Sequence, residues 1–273
     1  MDEILSFQNP KIKHAKKLRE RKYRDEYGQF FFEGVHLLEE LLKSYREPDE
    51  VFVTDEALIK YEELIGSLKT AAIHKISREL YDKITDEQSP QGIFCICRMF
   101  DTFPDIDCSD KLYEYMRSFK GGAVILDSVR DPGNIGTVIR TAASLGIDTV
   151  VVSRDSADIY NPKTIRATMG ALFVSDITVV YDLIAFVSCA VQNGINVYAS
   201  LLDSSSVKLS DIKMNASDCF VIGNEGAGIS EEVKDVCSHK LFIPMSGKTE
   251  SLNAAAAASI IMWEYEKQIR LQE

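Results

Sequence analysis

The chain has 273 residues, of which 45% are hydrophobic and 27% charged, and its formal net charge is −11. This length fits two domains better than one, and the apolar fraction excludes wholesale disorder. The longest apolar stretch, residues 254–263, is shorter than the roughly 20 residues that a membrane-spanning helix requires, so no membrane span is expected.

The six cysteines are scattered without a C-x-x-C pair, and the four histidines lie apart from one another. Neither a metal site nor a disulfide framework is therefore expected, and the cysteines are interpreted as small buried apolar residues. The first ten residues, MDEILSFQNP, lack the basic start and apolar run of a secretory signal. These features predict a soluble, cytoplasmic protein without a metal.

Positive charge is concentrated near the N-terminus. Residues 11–24, the basic segment, contain eight lysines and arginines against one acid, Glu20, a local net charge of +7 in an otherwise acidic protein. Such a segment can bind nucleic-acid phosphates, whereas the alternative is a solvated helix face. The residues selected as phosphate contacts are Lys16, Lys17, Arg21 and Lys22.

The first hundred residues are predicted to form a small α/β domain, because amphipathic spacing alternates with short apolar runs. The predicted elements are helices over 12–24, 34–44 and 78–84 and strands over 51–53, 71–76 and 93–100. The acidic stretch 101–110 contains Pro104 and lacks periodicity, which indicates a linker. With a helix over 111–119, it makes residues 101–120 a connection to the next domain.

From residue 121 onward, strands and helices alternate regularly. A strand over 123–127 precedes a helix over 135–145, for which Asn134 is the expected N-cap and Gly146 the terminating residue. Asn161 and Pro162 suit the start of the next helix. This alternation predicts that residues 121–273 form an α/β domain with a mainly parallel sheet covered on both faces.

Three loops at the carboxyl ends of predicted strands are unusual, and ligands bind at that edge of a parallel sheet. They are LDSVRDPGNIGTVIRTAA (126–143), GNEGAG (223–228) and IPMSGKTESLNAAAAA (243–258). Taken singly, their residues have local explanations as turns, caps or surface charges. The glycine loop has the wrong spacing and position for a dinucleotide fingerprint, so an NAD site is poorly supported.

Together these loops resemble the three signature motifs of the SpoU (TrmH) family of RNA methyltransferases, within the SPOUT superfamily. The resemblance covers residues 121–273 in order and spacing, and NPKTIRATMGALF (161–173) is also similar to the family. The segments SFQNPKIK, FFEGVHLLEELL and SPQGIF resemble the family's substrate-binding domain, which has a small ribosomal-protein-like fold. The resemblance implies a C-terminal trefoil knot, a homodimer through the knotted domain, and S-adenosyl-L-methionine as cofactor.

The resemblance also assigns residues to the site. Those implied to bind the cofactor are Gly223, Ile243 and Leu252, with Met245, Ser200 and Leu201 as further candidates. The implied catalytic set is Arg140, Asn134, Glu225, Ser251 and Asn253. Because a guanidinium group stays protonated in proteins, Arg140 is interpreted as a phosphate clamp that also hydrogen-bonds the 2′-oxygen, not as a general base. Glu225 is expected to orient Arg140 or Asn134, and the helix N-terminus at Asn134 is expected to support the same phosphate.

The implied function is methylation of a ribose 2′-hydroxyl, and the two-domain layout favours ribosomal RNA over transfer RNA. One alternative is a non-catalytic RNA-binding paralogue that acts in ribosome assembly. The other is a nucleotide-dependent enzyme with an ordinary doubly wound sheet. The joint presence of the five catalytic candidates argues against the first alternative, and the missing dinucleotide fingerprint argues against the second.

Overall fold

The computed structural model describes residues 1–100, 105–106, 108–147, 149–247 and 251–270. The chain forms two compact units. The first contains Met1–Phe100 together with Asp158–Val174, and the second contains Asp101–Ala157 together with Ser175–Glu273. The predicted division places residues 158–174 in the C-terminal domain, whereas their contacts place them in the first unit.

The first unit is built on a five-stranded mixed sheet. Its strands are β1 (Asp2–Ile4), β2 (Gln29–Glu33), β3 (Glu50–Val53), β4 (Ala72–Ile76) and β5 (Ile93–Arg98), in the order β1-β4-β3-β5-β2. β4 is parallel to both its neighbours, whereas β5 is antiparallel to β3 and β2. The helices are α1 (Pro10–Lys17), α2 (Arg21–Tyr27), α3 (Val35–Lys43), α4 (Asp55–Lys60), α5 (Glu62–Gly66) and α6 (Arg78–Ile84).

The predicted helix over 12–24 is wrong in one respect, because the structure divides it into α1 and α2. Glu20 between them has extended backbone angles, φ −93° and ψ 131°. The cause is Arg24, whose buried guanidinium donates hydrogen bonds to the carbonyls of Leu18 and Arg19, each at 2.8 Å. A continuous helix would use those carbonyls for its own backbone bonds. Hydrophobic periodicity carries no sign of this side-chain competition.

Residues 158–174 pack against β2 of the first unit. Helix α9 (Pro162–Thr168) has Asn161 as its N-cap and Pro162 at its first position, which confirms that prediction. The segment is held by Arg24, which forms an ion pair with Asp158 at 2.6 Å, and by Phe32, whose ring lies 5.6 Å from that of Phe173.

The second unit contains an eight-stranded sheet in which every paired strand is parallel. The strands are β6 (Asp105–Ile106), β7 (Ala123–Leu126), β8 (Thr149–Ser153), β9 (Asp176–Val180), β10 (Val197–Ser200), β11 (Val207–Lys208), β12 (Cys219–Ile222) and β13 (His239–Phe242). Their order is β11-β13-β10-β12-β7-β8-β9-β6. The central strands β7 and β12 are buried along their whole length, as expected for a parallel sheet with both faces covered. The predicted parallel-sheet α/β class is confirmed.

Five helices accompany this sheet. They are α7 (Ser109–Ser118), α8 (Pro132–Leu145), α10 (Leu183–Gln192), α11 (Glu231–Val236) and α12 (Ala254–Arg270). The predicted linker contributes the short strand β6, which pairs with β9, whereas residues 101–104 and 107 of that linker lie outside the described residues. Among the residues described, the helices are all too short or too polar to cross a membrane.

The start of α8 differs from the prediction. The helix begins at Pro132, and its N-cap is Asp131, whose Oδ1 accepts a 2.9 Å hydrogen bond from the backbone N–H of Asn134. Proline suits the first helical position because its missing N–H would have no helical partner there. Asn134 therefore lies inside the first turn, where its side chain is free to bind elsewhere. The helix ends at Gly146 in the left-handed conformation, as predicted.

The six cysteines are unbonded, but they are not all buried. Cys95, Cys97 and Cys219 are buried, Cys189 and Cys237 are half-buried, and Cys108 is exposed. The interpretation of every cysteine as a buried apolar residue is therefore wrong for Cys108. Burial raises the pKa of Cys219 to about 12, so this thiol stays protonated at neutral pH.

Candidate active site

The three motif loops of the second unit meet at the carboxyl ends of its central strands. A tight turn follows β12, in which Asn224 and Gly228 exchange backbone hydrogen bonds of 2.9 and 3.0 Å. The Asn224 side chain accepts from the backbone N–H groups of Gly226 and Ala227, and its amide donates to the carbonyl of Ser128 at 2.8 Å. One asparagine thereby closes the turn and ties it to the loop that follows β7.

Gly223 is required by the turn itself. A Cβ atom built there would lie 2.3 Å from the backbone C of Gly228 and the backbone N of Ile229, so no side chain fits. At Gly226 the nearest atom to such a Cβ is Asn224 Oδ1 at 3.7 Å, which leaves the backbone open. The turn therefore requires a glycine at position 223, whereas at position 226 there is space beside the backbone.

Glu225, at the tip of this turn, is the centre of a hydrogen-bonded cluster. Its carboxylate accepts from the backbone N–H groups of Arg130 and Asp131, both at 3.1 Å, and from the Asn134 side-chain amide at 2.8 Å. Burial acts to raise the pKa of Glu225, but these hydrogen bonds outweigh it and hold the pKa below the usual glutamate value. The carboxylate of Glu225 therefore accepts hydrogen bonds from the N–H groups of the two residues that precede α8.

Asn134 connects this cluster to the third motif loop. Its Oδ1 accepts a 3.0 Å hydrogen bond from the Asn253 side-chain amide. Asn253 in turn caps α12, because its Oδ1 accepts from the backbone N–H groups of Ala255 and Ala256 at 2.9 and 3.2 Å. Glu225, Asn134 and Asn253 thus form one chain of hydrogen bonds that joins all three loops.

A second group of polar side chains supports the loop after β7. Ser128 has a left-handed backbone, φ 55°, which is uncommon for a residue with a side chain. Its N–H donates to Ser153 Oγ at 2.9 Å, and its hydroxyl donates to Asp155 at 2.6 Å. Asp155 also pairs with the guanidinium of Arg130 at 3.0 Å. These bonds hold a strained residue in place, which fixes the path of the chain toward α8.

The other two catalytic candidates are not part of the hydrogen-bonded chain. Arg140 is exposed on α8, and across the described ranges its guanidinium has neither a hydrogen bond nor an ion pair, so Glu225 contacts Asn134 and not Arg140. Ser251 is exposed and lines the cavities beside the turn. Residues 248–250, which precede it, lie outside the described residues.

Two adjoining cavities, of about 350 and 150 Å³, lie against the turn and share several wall residues. All six predicted cofactor residues line them: Gly223 the larger, Ile243 and Met245 the smaller, and Ser200, Leu201 and Leu252 both. Leu202, which was not predicted, also lines both cavities and is 72% exposed. Its position directly after Leu201 is the signal that would have found it. The combination of apolar walls with open glycine backbone suits a flat aromatic ring with polar edges, such as adenine.

No group of three or more histidine, cysteine or acidic side chains suitable for a metal is found among the residues that the structure describes. The described residues of the site supply hydrogen bonding and charge. The fixed carboxylate and amides supply the first, and the exposed guanidinium of Arg140 supplies the second.

The basic segment, in the first unit, divides into two kinds of residue. Lys11 pairs with Glu50 at 3.1 Å, Arg19 with Asp86 at 3.1 Å, and Arg24 is buried against Asp158. These three cations form ion pairs within the first unit. Of the four predicted phosphate contacts, Lys16, Lys17 and Lys22 are exposed, whereas Arg21 is half-buried and lies 3.7 Å from Asp25.

Family models match both parts of the chain. The SpoU rRNA Methylase family matches residues 122–263, and the MRM3-like substrate binding domain matches residues 9–95. Among curated proteins, the chain is 33% identical to the 23S rRNA (guanosine(2553)-2'-O)-methyltransferase RlmP of Bacillus subtilis, over 96% of this chain and 98% of the relative. It is 26% identical to the mitochondrial rRNA methyltransferase 3 of Homo sapiens, over 93% of this chain and 71% of the relative.

Solved structures of methyltransferases are also similar to this chain. An AdoMet-bound rRNA methyltransferase from Sinorhizobium meliloti has a TM-score of 0.83 and 26% identity, covering 98% of each chain. The SpoU methyltransferase AviRb from Streptomyces viridochromogenes, in complex with AdoMet, has a TM-score of 0.79 and 25% identity, covering 97% of this chain and all (100%) of the other. Since the family match spans more than half the chain and contains the three loops that build the cluster, this protein belongs to the SpoU rRNA methylase family.

Proposed function

We propose that this protein transfers a methyl group from S-adenosyl-L-methionine to a ribose 2′-hydroxyl of ribosomal RNA. The observation that carries the proposal is the chain of hydrogen bonds from Glu225 through Asn134 to Asn253, beside cavities lined by Gly223 and Leu252. Relatives named as 23S rRNA 2′-O-methyltransferases, RlmP and RlmB, support ribosomal RNA as the substrate class.

The proposed mechanism rests on positioning. When bound, S-adenosyl-L-methionine would supply a methyl group on a positively charged sulfur; transfer to the 2′-oxygen would leave S-adenosyl-L-homocysteine, and the hydroxyl proton would pass to solvent. Arg140 is exposed, and its guanidinium has no hydrogen bond or ion pair within the described ranges. It clamps the adjacent RNA phosphate and donates to the 2′-oxygen, which stabilises the developing negative charge. Glu225 and Asn253 hold Asn134 in one orientation from either side, and Ser251 completes the polar wall. Holding the reactants in place supplies most of the rate.

The cofactor is assigned to the two cavities. The apolar side chains Leu201, Ile243, Met245 and Leu252 would hold the adenine ring, and the backbone at Ser200 and Gly223 would hydrogen-bond its polar edges. The AdoMet-bound rRNA methyltransferase from Sinorhizobium meliloti, a structural relative, supports this cofactor. We propose that the loops that hold the cofactor belong to a trefoil knot.

We also propose that the protein acts as a homodimer through this domain, in the cytoplasm where ribosomal RNA is found. The support is an apolar surface on α12, where Trp263 is 60% exposed and Ile260 is 40% exposed. Large apolar side chains of this kind are typical of a protein interface. Light scattering coupled to size-exclusion chromatography measures the mass directly, and a mass of one chain would contradict the dimer.

The function is tested by methylation of ribosomal RNA with isotopically labelled S-adenosyl-L-methionine. The RNA is digested to nucleosides, which are separated and identified by mass spectrometry. The expected product is one 2′-O-methylated nucleoside, absent when Arg140→Ala replaces the parent protein. A label on a base would overturn the ribose assignment. RNA binding without label transfer would favour the alternative of a non-catalytic RNA-binding paralogue.

A further inference from the structure

Two tyrosine rings lie stacked on α2 in the first unit. Tyr23 and Tyr27 are one helical turn apart, their ring centroids are 6.1 Å apart, and their planes differ by 14°. Tyr27 packs against the buried cluster of this unit, and its ring lies 4.7 Å from that of His14. Tyr23 is half-buried and lies outside that cluster. The inner ring is therefore anchored, and it supports an outer ring that solvent reaches.

Lysines lie against these rings instead of against acids. The Nζ of Lys17 is 5.0 Å from the centre of the Tyr23 ring and 3.4 Å from the Tyr27 hydroxyl, and the Nζ of Lys22 is 5.6 Å from the Tyr23 ring. Both lysines are exposed, and in the described part of the chain neither forms an ion pair. A lysine over an exposed ring gains only about 0.5–1 kcal/mol, so an incoming phosphate displaces it readily.

We infer that Tyr23, Tyr27, Lys17 and Lys22 form a platform that stacks an unpaired RNA base on Tyr23 and holds the flanking phosphates on the two lysines. This inference rests on the proposed function, because it assumes that the first unit binds RNA. It adds a class of substrate: a loop, bulge or single strand at this surface, not a duplex.

The chemistry selects an unpaired base. Every base has a π-face that stacks on an aromatic side chain, and cations beside the ring bind the backbone of the same strand. In an A-form duplex the bases are already stacked on one another, and the deep, narrow groove excludes a tyrosine. Lysines alone would bind either form, so the aromatic pair is what distinguishes them.

The test measures how tightly the full-length protein binds three labelled RNAs of equal length. They are a single-stranded oligoadenylate, the same backbone without bases, and an A–U duplex. Tyr23→Leu is expected to weaken binding of the single strand by about fivefold or more, which is the effect of losing one base–aromatic stack. Its affinity for the base-free RNA and for the duplex is expected to equal that of the parent. Tyr23→Phe is expected to bind like the parent, since it keeps the ring. Lys17→Gln with Lys22→Gln is expected to weaken binding of all three and to flatten the dependence on salt.

A second measurement does not depend on any variant. Irradiation of a complex with single-stranded RNA that contains 5-iodouridine is expected to cross-link Tyr23, as identified by peptide mass spectrometry. Equal binding of the single strand by Tyr23→Leu and parent, or equal weakening of the base-free RNA, would overturn the inference. So would a parent protein that does not bind the single strand. Failure of methylation with the Tyr23 effect intact would instead overturn the proposed function alone.

Discussion

The side-chain amide of Asn134 donates a 2.8 Å hydrogen bond to Oε1 of Glu225, and this bond sets the direction of the whole cluster. A carboxylate only accepts, so Asn134 must turn its NH₂ toward Glu225 and its oxygen toward Asn253. Asn253 then donates to Asn134, which leaves its own oxygen to accept from the first N–H groups of α12. One negative charge thereby orients two amides and caps a helix.

Replacing Glu225 by glutamine is expected to lower both methylation and stability. The glutamine amide has one oxygen in place of two, so it cannot accept from Arg130, Asp131 and Asn134 together. Hydrogen bonds to a charged group contribute about 1.5–3 kcal/mol, which exposure and solvent screening at Glu225 reduce to about 1 kcal/mol. Urea unfolding gives this difference in the free energy of unfolding, and the methylation assay gives the loss of activity.

The stability difference between Glu225 and its glutamine variant is expected to depend on pH. Hydrogen bonds hold the pKa of Glu225 below the 4.5 of an unperturbed glutamate, so the folded state binds the proton less readily than the unfolded chain. The stabilisation is therefore complete above the unfolded pKa and is lost as the pH falls through the folded one. Glu114→Gln, on the exposed side of α7, is the matched control, and an equal pH dependence in both variants would contradict the assignment.

Residue spacing predicts the elements of this fold well but not the partners of its polar side chains. Buried runs such as β7 and β12, and terminating residues such as Gly146, follow from local chemistry that a single segment carries. Residue spacing in its own segment predicts Asn134 only as the cap of α8, whereas the family resemblance names Asn134 as one of two side chains that Glu225 orients. Its actual partner, Glu225, lies 91 residues away along the chain. A contact of that separation leaves no periodic trace.

The same reason explains the break in the basic segment. Spacing over residues 12–24 favours one helix, and only the buried position of Arg24 against Asp158, 134 residues later, reveals the competing hydrogen bonds. The predicted cofactor residues come from a motif resemblance, which carries long-range information that residue spacing lacks. All six line the two cavities. Their role in cofactor binding remains a prediction.

Gly223→Ala is expected to destabilise the protein and to weaken binding of S-adenosyl-L-methionine. The added methyl group would lie 2.3 Å from the backbone of Gly228 and Ile229, so the turn must open, at a cost of about 1–3 kcal/mol. Gly226→Ala, three residues along the same turn, meets nothing closer than 3.7 Å and is expected to keep the parent melting temperature. Calorimetry measures both quantities, and equal melting temperatures for the two variants would refute the steric argument.

Arg140→Ala is expected to abolish methylation with little change in stability or cofactor affinity. The side chain is exposed and has no hydrogen bond or ion pair in the described ranges, so its removal changes the free energy of unfolding by about 0.5 kcal/mol or less. Arg140→Lys is expected to restore little activity, because a point charge cannot form the planar fork that binds a phosphate and the 2′-oxygen together. Methylation by the alanine variant at the parent rate would show that Arg140 has no catalytic part.

Arg24→Met separates the structural from the RNA-binding role of the basic segment. The variant leaves the carboxylate of Asp158, only 10% exposed, without its partner, and loses the bonds to Leu18 and Arg19. Breaking a buried ion pair on one side costs about 3–5 kcal/mol. Unfolding experiments are expected to show this loss, while the salt dependence of RNA binding under native conditions stays that of the parent. A flatter salt dependence would place Arg24 among the RNA contacts.

Reversing the charge of the four predicted phosphate contacts is expected to have the opposite effect. In the variant with Lys16, Lys17, Arg21 and Lys22 changed to glutamate, stability is expected to stay close to the parent value, because none of these side chains is buried. Each phosphate contact contributes about −0.7 to the slope of log affinity against log salt on a single strand, so the slope is expected to flatten and RNA binding to weaken.

The matched control reverses Lys60, Lys120, Lys208 and Lys213, which are exposed outside the segment and change the net charge equally. Affinity for S-adenosyl-L-methionine is expected to remain unchanged in both variants, since the cofactor residues belong to the second unit. An identical flattening of the slope in both would mean that net charge alone governs the binding, and an unchanged slope in the first would mean that the segment is a solvated face.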